Sequence, residues 1–171
     1  MAIHAPLNVN WQFCLPGSEN PFVGGASDTS PPSGLTGGPL QQVIEHTNNV
    51  LIGHGTLDFV LFANGTLATL QNLTWKGAQG FSEYPCQPFY VPYHNHPMES
   101  MSGAGIYGSW ISERGLTFVL TELAGHFLPQ SAPSAAYRHL EFLLGRIGNL
   151  SEVSPFTTQP DYEQPREVLS N

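Results

Sequence analysis

The segment VLIGHG, residues 50–55, constrains the fold of this chain most. It is an apolar run of the kind that forms a central parallel strand buried on both faces. Helical spacing precedes it in residues 39–49, which begin on a proline and end on paired asparagines. Helical spacing returns in residues 64–75, where Asn64 or Thr66 is placed to cap the helix. The order helix, strand, turn, helix predicts an α/β fold.

The second half of the chain contains a predicted strand pair and a closing helix. Two β-favouring segments, residues 106–113 and 116–123, flank a short turn that contains a glycine. An apolar pattern of helical period follows over residues 132–147. The predicted apolar side of this helix consists of Ala136, Leu140, Leu143 and Leu144.

Proline and glycine interrupt the remaining parts of the chain. Residues 15–38 and 77–105 follow neither the helical nor the strand period, so we predict irregular structure there. Residues 148–171 are polar and contain prolines, which indicates a surface tail. With 171 residues and 40% hydrophobic content, the chain is long enough for one globular domain, which we place at residues 1–147.

The charge of the chain limits its partners. It has 5 Lys and Arg residues against 13 Asp and Glu residues. Nucleic acid and anionic membranes are therefore not expected as partners, because a basic face is what neutralises phosphates. The sequence has no run of about 18 apolar residues and predicts no membrane span. Its first residues lack the basic start and apolar core of a signal peptide.

Other features are typical of secreted proteins. Three acceptor patterns for N-glycosylation begin at Asn64, Asn72 and Asn149. The two cysteines, Cys14 and Cys86, either pair with each other or each pair with a residue outside this sequence. Secretory features without an export signal favour the interpretation that the chain is a truncated form.

Two candidate catalytic residues follow predicted strands. Asp58 comes after VLIGHGTL, and His126 comes after TFVLTELAG. In open α/β sheets, chemistry gathers outside the carboxyl ends of the strands. A histidine that takes a proton from a serine needs an aspartate on its other ring nitrogen, and the chain order aspartate then histidine is that of an α/β-hydrolase triad. The alternatives are that Asp58 is a turn or cap residue and His126 an exposed polar residue.

A metal site is the other chemistry that histidines suggest. His94 and His96 form an H-x-H pattern in a proline-rich segment. Supporting spacing for a third ligand is missing, so we predict neither a metal nor another cofactor.

The segments around Asp58 and His126 resemble the two C-terminal signatures of the serine carboxypeptidase family. These segments are VLIGHGTLDFVLFANGTLATLQNLTW and LTFVLTELAGHFLPQSAPSAAYRHLEFLLG. The second matches the family's Gly-His turn, the proline that follows it and the closing helix. The similarity extends over residues 3–147, and it implies the C-terminal part of an α/β-hydrolase fold with a central, mostly parallel sheet.

The resemblance also implies roles for particular residues. Asp58 and His126 correspond to the triad aspartate and histidine. Phe13, Cys14 and Phe127 resemble residues that border the pocket for the C-terminal side chain of the substrate. In relatives, the partner of the cysteine at the position of Cys14 lies in the N-terminal half of the protein.

One family feature is missing from these 171 residues. Neither G-x-S-x-G nor a Gly-Glu-Ser-Tyr turn occurs, so the triad serine is expected elsewhere, on an N-terminal chain or portion. The resemblance therefore implies the C-terminal portion of a secreted or vacuolar serine carboxypeptidase that releases C-terminal residues from peptides at acidic pH. The alternatives are a carboxypeptidase-like acyltransferase and a non-catalytic fragment that lacks the nucleophile.

Overall fold

The computed structural model describes residues 37–93 and 103–158, all within one compact unit that spans residues 33–171. Four residues named above, Phe13, Cys14, His94 and His96, lie outside the described residues. The same holds for most of the predicted irregular segment at residues 15–38, for part of the one at 77–105, and for residues 159–171 of the predicted tail.

The central element is a four-stranded mixed sheet. Its strands in chain order are β1 (Val50–Gly55), β4 (Gln87–Val91), β5 (Gly105–Glu113) and β6 (Leu116–Thr121). Their order in the sheet is β1-β6-β5-β4. β1 runs parallel to β6, whereas β5 is antiparallel to both of its neighbours. The predicted strand pair is confirmed, and its turn places Arg114 and Gly115 at positive φ, as two-residue hairpin turns require.

Helices cover both faces of this sheet. They are α1 (Pro39–Thr47), α2 (Ala63–Asn72), α3 (Leu128–Ser131) and α4 (Pro133–Leu143), and a small hairpin of β2 (Thr74–Trp75) and β3 (Ala78–Gln79) follows α2. One apolar core contains side chains of α1, α2, β2 and β6, and a second contains side chains of α3, α4, β4 and β6. Because β6 contributes alternate residues to both cores, it is the buried central strand of the described sheet. The α/β class predicted from the sequence is confirmed.

The position of β1 differs from the prediction. Among the described residues β1 pairs only with β6, so it forms one side of the sheet and not its centre. Its first three residues are half-buried and Gly53 is exposed. The predicted parallel pairing is confirmed, but the burial of both faces is not seen within the described part of the chain.

Two expectations for residues 64–105 are wrong. α2 begins at Ala63, and neither Asn64 nor Thr66 caps it, because its N-cap is Phe62, which makes no side-chain capping bond. β4 lies in the region predicted to be irregular. Its proline, Pro88, obscures the strand pattern, but β4 is an edge strand of the described sheet, where a missing backbone N–H is tolerated.

The predicted apolar side of the closing helix is also wrong. The predicted helix at residues 132–147 is confirmed as α4, with the short α3 before it, but Leu140 and Leu144 are 46% and 58% exposed. α4 instead buries Arg138 and Glu141 completely. Their ion pair, with 2.9 Å between Arg138 Nη1 and Glu141 Oε2, faces the segment that follows the helix.

That segment, residues 148–158, is not a surface tail. Leu150 and Phe156 are buried in the second core, and the Leu150 carbonyl accepts a hydrogen bond of 2.8 Å from the backbone N–H of Tyr90 on β4. The Ser151 hydroxyl donates to the Pro88 carbonyl at 2.6 Å. These contacts cover the outer side of β4.

None of the helices in the described part of the chain is long and apolar enough to cross a membrane.

Candidate active site

The site forms where β1 and β6 end. The two strands are parallel neighbours, so their carboxyl ends lie side by side. Asp58 follows three residues after β1, and His126 follows five residues after β6. Two backbone bonds continue the pairing beyond the strands, since Thr56 N donates to Thr121 O and Leu57 N donates to Ala124 O, each at 2.9 Å. This contact brings the two loops together.

Gly55 permits that close approach. A Cβ atom at this position would lie 2.6 Å from the carbonyl carbon of Ala124 and 2.7 Å from the carbonyl oxygen of Gly125, and closer still to the oxygen of Ala124. Atoms of a side chain do not approach backbone so closely. Glycine at the end of β1 is therefore a steric condition for the contact between the two loops.

Asp58 and His126 form a hydrogen-bonded pair, as predicted. Asp58 Oδ2 lies 3.0 Å from His126 Nδ1. The other oxygen, Oδ1, accepts backbone N–H bonds from Val60 at 2.8 Å and from Leu61 at 2.9 Å. The carboxylate is thus bound on both oxygens and is only 7% exposed. This geometry orients the imidazole ring of His126.

The surroundings keep Asp58 ionised. Burial raises the pKa of its carboxyl, but the hydrogen bonds from Leu61 N–H, His126 and Val60 N–H, together with the charge of His126, lower it more. The resulting pKa is about 2. Asp58 therefore remains an anion above that pH, which is the state in which it can orient and stabilise a protonated imidazole.

His126 faces outward from a tight turn. Its side chain is 36% exposed, and the ring of Phe127 packs edge-on against it with 5.3 Å between the ring centroids. The turn is closed by Ser131 of α3, whose hydroxyl accepts the Gly125 N–H at 3.2 Å. Because Nδ1 contacts Asp58, the second ring nitrogen, Nε2, is placed to act on a nucleophile.

A second histidine at the carboxylate was missed by sequence reasoning. His54, on β1, lies with Nε2 3.3 Å from Asp58 Oδ2 and 2.6 Å from the carbonyl oxygen of Leu61. Its side chain is buried, with 8% of the residue exposed. The available signal was a polar residue inside an otherwise apolar strand, four positions before the candidate aspartate.

Exposed apolar side chains surround the pair. The loop after Asp58 contains four of them, which are 60–80% exposed: Phe59, Val60, Leu61 and Phe62. Leu123 and Phe127, in the opposite loop, are 66% and 49% exposed. A patch of this kind beside polar groups is typical of a surface that binds an apolar ligand or another polypeptide.

The predicted glycosylation sites and Cys86 lie on the surface. Asn64, Asn72 and Asn149 are exposed on the surface. Asn72 Nδ2 donates to the Ala68 carbonyl within α2, and Asn149 Oδ1 accepts the Ser151 N–H. Cys86 is an exposed free cysteine.

The parallel strand ends, the Asp–His pair and the helices on both faces are the arrangement found in α/β-hydrolases. Comparison with known proteins identifies the family within this fold. The serine carboxypeptidase family, peptidase S10, matches residues 24–146. The chain belongs to the serine carboxypeptidase family, as its sequence motifs predicted, and its sheet is part of an α/β-hydrolase fold.

Curated relatives are carboxypeptidases of fungi. A carboxypeptidase Y homolog of Arthroderma benhamiae is 49% identical over 88% of this chain and 29% of its own length. Serine-type carboxypeptidase F of Aspergillus niger is 39% identical, over 87% of this chain and 30% of its own length. The chain thus spans less than a third of the length of these relatives.

A crystal structure of Kex1(delta)p, a prohormone-processing carboxypeptidase from Saccharomyces cerevisiae, is 24% identical to the chain. The structural match covers 66% of this chain and 23% of the Kex1(delta)p chain, with a TM-score of 0.47.

Proposed function

We propose that this chain supplies the aspartate and the histidine of a serine carboxypeptidase triad, and that the serine comes from sequence outside these 171 residues. The observation that carries the proposal is the 3.0 Å contact between Asp58 Oδ2 and His126 Nδ1 at the ends of two parallel strands. Membership of the serine carboxypeptidase family supports the same assignment. The chain corresponds to a C-terminal portion of the enzyme, and peptides are the substrates.

The reaction follows from the geometry of the pair. His126 Nε2 takes the hydroxyl proton of the serine while the serine oxygen attacks the last peptide carbonyl of the substrate. The imidazolium, stabilised by the anion of Asp58, then gives that proton to the amine of the departing C-terminal residue. In the second half, His126 removes a proton from water, water attacks the acyl-enzyme, and the proton returns to the serine.

Phe127 is proposed to form one wall of the pocket for the substrate's C-terminal side chain. It is 49% exposed and lies against His126, so an apolar group bound at the reacting carbonyl would contact its ring. Phe13 and Cys14, which lie outside the described residues, are proposed for the same pocket on the strength of the family resemblance.

The enzyme is proposed to be a secreted or vacuolar glycoprotein. Asn64, Asn72 and Asn149 are all exposed, so the fold can accommodate a bulky oligosaccharide on each of them. Treatment of the natural protein with an endoglycosidase should lower its mass, and replacing each asparagine by glutamine should remove one step of that change. A mass that the enzyme treatment leaves unchanged contradicts this part of the proposal.

The triad assignment is tested in the full-length natural polypeptide. Asp58→Asn and His126→Ala should each lower kcat by about a thousandfold or more, because an uncharged or missing partner disables proton transfer. His46→Ala, an exposed histidine on α1, is the matched control and should retain wild-type kcat. A fluorophosphonate should label a serine on the polypeptide that carries this chain. His126→Ala should lower the rate of this labelling by the same factor as it lowers kcat. Hydrolysis that persists in both variants would refute the assignment.

A further inference from the structure

His54 donates a hydrogen bond to the loop that carries the catalytic aspartate. Its Nε2 lies 2.6 Å from the carbonyl oxygen of Leu61. A carbonyl oxygen only accepts hydrogen bonds, so Nε2 must carry a proton whether the ring is neutral or charged. The same nitrogen lies 3.3 Å from Asp58 Oδ2, so its N–H also faces the carboxylate oxygen that contacts His126.

The backbone N–H and the backbone carbonyl of Leu61 are thereby both hydrogen-bonded. Its N–H donates to Asp58 Oδ1 at 2.9 Å, and its carbonyl accepts from His54. The turn from Asp58 to Leu61 is thus tied to β1 by a side chain of that strand. Any shift of Leu61 moves the N–H group that orients the Asp58 carboxylate.

Side-chain packing contributes little to the position of this turn within the described structure. Phe59, Val60 and Leu61 are 80%, 68% and 60% exposed. Polar bonds to the backbone therefore define where the turn lies, and a buried side chain, that of His54, supplies one of them.

We propose that His54 is a positioning residue for catalysis, one that holds the Asp58 carboxylate in line with His126 through the Leu61 carbonyl. The proposal rests on the triad assignment above. His54 exchanges no proton with the substrate; it fixes the carboxylate geometry on which proton transfer by His126 depends. Catalytic groups lose much of their effect when displaced by about an ångström.

The test compares two variants in the full-length natural polypeptide, both of which replace His54 by a residue with an amide side chain. In His54→Gln, the amide nitrogen reaches the position of Nε2 and still donates to the Leu61 carbonyl. In His54→Asn, a shorter side chain places that donor away from the carbonyl. We expect His54→Asn to lower kcat about tenfold to a hundredfold with KM changed less than about twofold, and His54→Gln to retain kcat within about threefold.

A third variant, His54→Leu, keeps the volume and removes the donor, and should behave as His54→Asn does. Thermal unfolding of all three variants identifies any that fail to fold. Equal activity of the asparagine and glutamine variants, or wild-type kcat in His54→Leu, would overturn the proposal.

The triad assignment is measured separately in the same assay. If Asp58→Asn and His126→Ala abolish turnover while every His54 variant retains it, the positioning role alone is wrong. If the Asp58 and His126 variants retain turnover, the proposed function itself fails, and the positioning role fails with it.

Discussion

Replacing Gly55 by alanine should separate the two loops of the active site. The added Cβ would lie 2.6 to 2.7 Å from backbone atoms of Ala124 and Gly125, and closer to the Ala124 oxygen. Ordinary contact begins at 3.4 Å, so the end of β1 and the turn at residues 124–125 must move apart by about 1 Å. Both neighbours are backbone, which has no alternative rotamer to adopt.

The Gly55→Ala substitution should lower both the stability of the fold and the rate of catalysis. Overpacking of this size destabilises a protein by about 1–3 kcal/mol. Asp58 and His126 lie on opposite sides of the gap, so a 1 Å displacement would lengthen their contact from 3.0 Å to a distance at which the hydrogen bond is lost. A misplacement of that size lowers kcat/KM by about a hundredfold.

Two glycine controls separate the effect on the site from the effect on folding. Gly65→Ala, in α2, places its Cβ where no atom lies within 4 Å, and should leave kcat/KM unchanged while stabilising the helix by ~0.5–1 kcal/mol. Gly53→Ala, also on β1, would meet the His139 ring at 2.9 Å and should cost stability with little effect on kcat/KM. The assay is peptide hydrolysis by the full-length polypeptide together with thermal unfolding. Wild-type kcat/KM in Gly55→Ala would refute the steric argument.

Three further predictions concern other parts of the structure. Arg138→Ala should destabilise the protein by about 3–5 kcal/mol in urea unfolding, because the carboxylate of Glu141 would remain buried without its cationic partner. Replacing Glu141 by alanine in the Arg138→Ala background should change the free energy of unfolding little further. Burial lowers the pKa of His139 to about 4 from 6.5, so the unfolded chain binds the proton first and stability falls as pH drops from about 6.5 to about 4; His139→Leu should flatten this part of the curve. The 171-residue chain alone should associate with increasing concentration in sedimentation experiments through the side of β1 that pairs with no other strand among the described residues. A monodisperse, cooperatively melting monomer would contradict this.

Local patterns in the sequence determined several elements of the fold, including the strand β1 that ends at the site. The apolar run of β1, the hairpin turn at Arg114 and Gly115, and the proline that opens α1 each specify the conformation of a few neighbouring residues, and the structure confirms all three. The contact between Asp58 and His126 was also predictable. It requires only that two parallel strands be neighbours, because their carboxyl ends then share one side of the sheet.

Only the tertiary structure decided which groups are buried. The predicted apolar side of α4 was wrong because Arg138 bonds to Glu141 on the same helix and to the carbonyl of Glu152 in the segment that follows it. A buried charge is tolerated when it is paired and hydrogen-bonded in this way. β4 was missed for a related reason. Its proline is compatible with a strand at the edge of a sheet, and which strands form the edges depends on pairing between residues far apart in the chain. The bond from His54 to Leu61 depends on how the loop folds back onto β1, and residue spacing by itself does not specify that return.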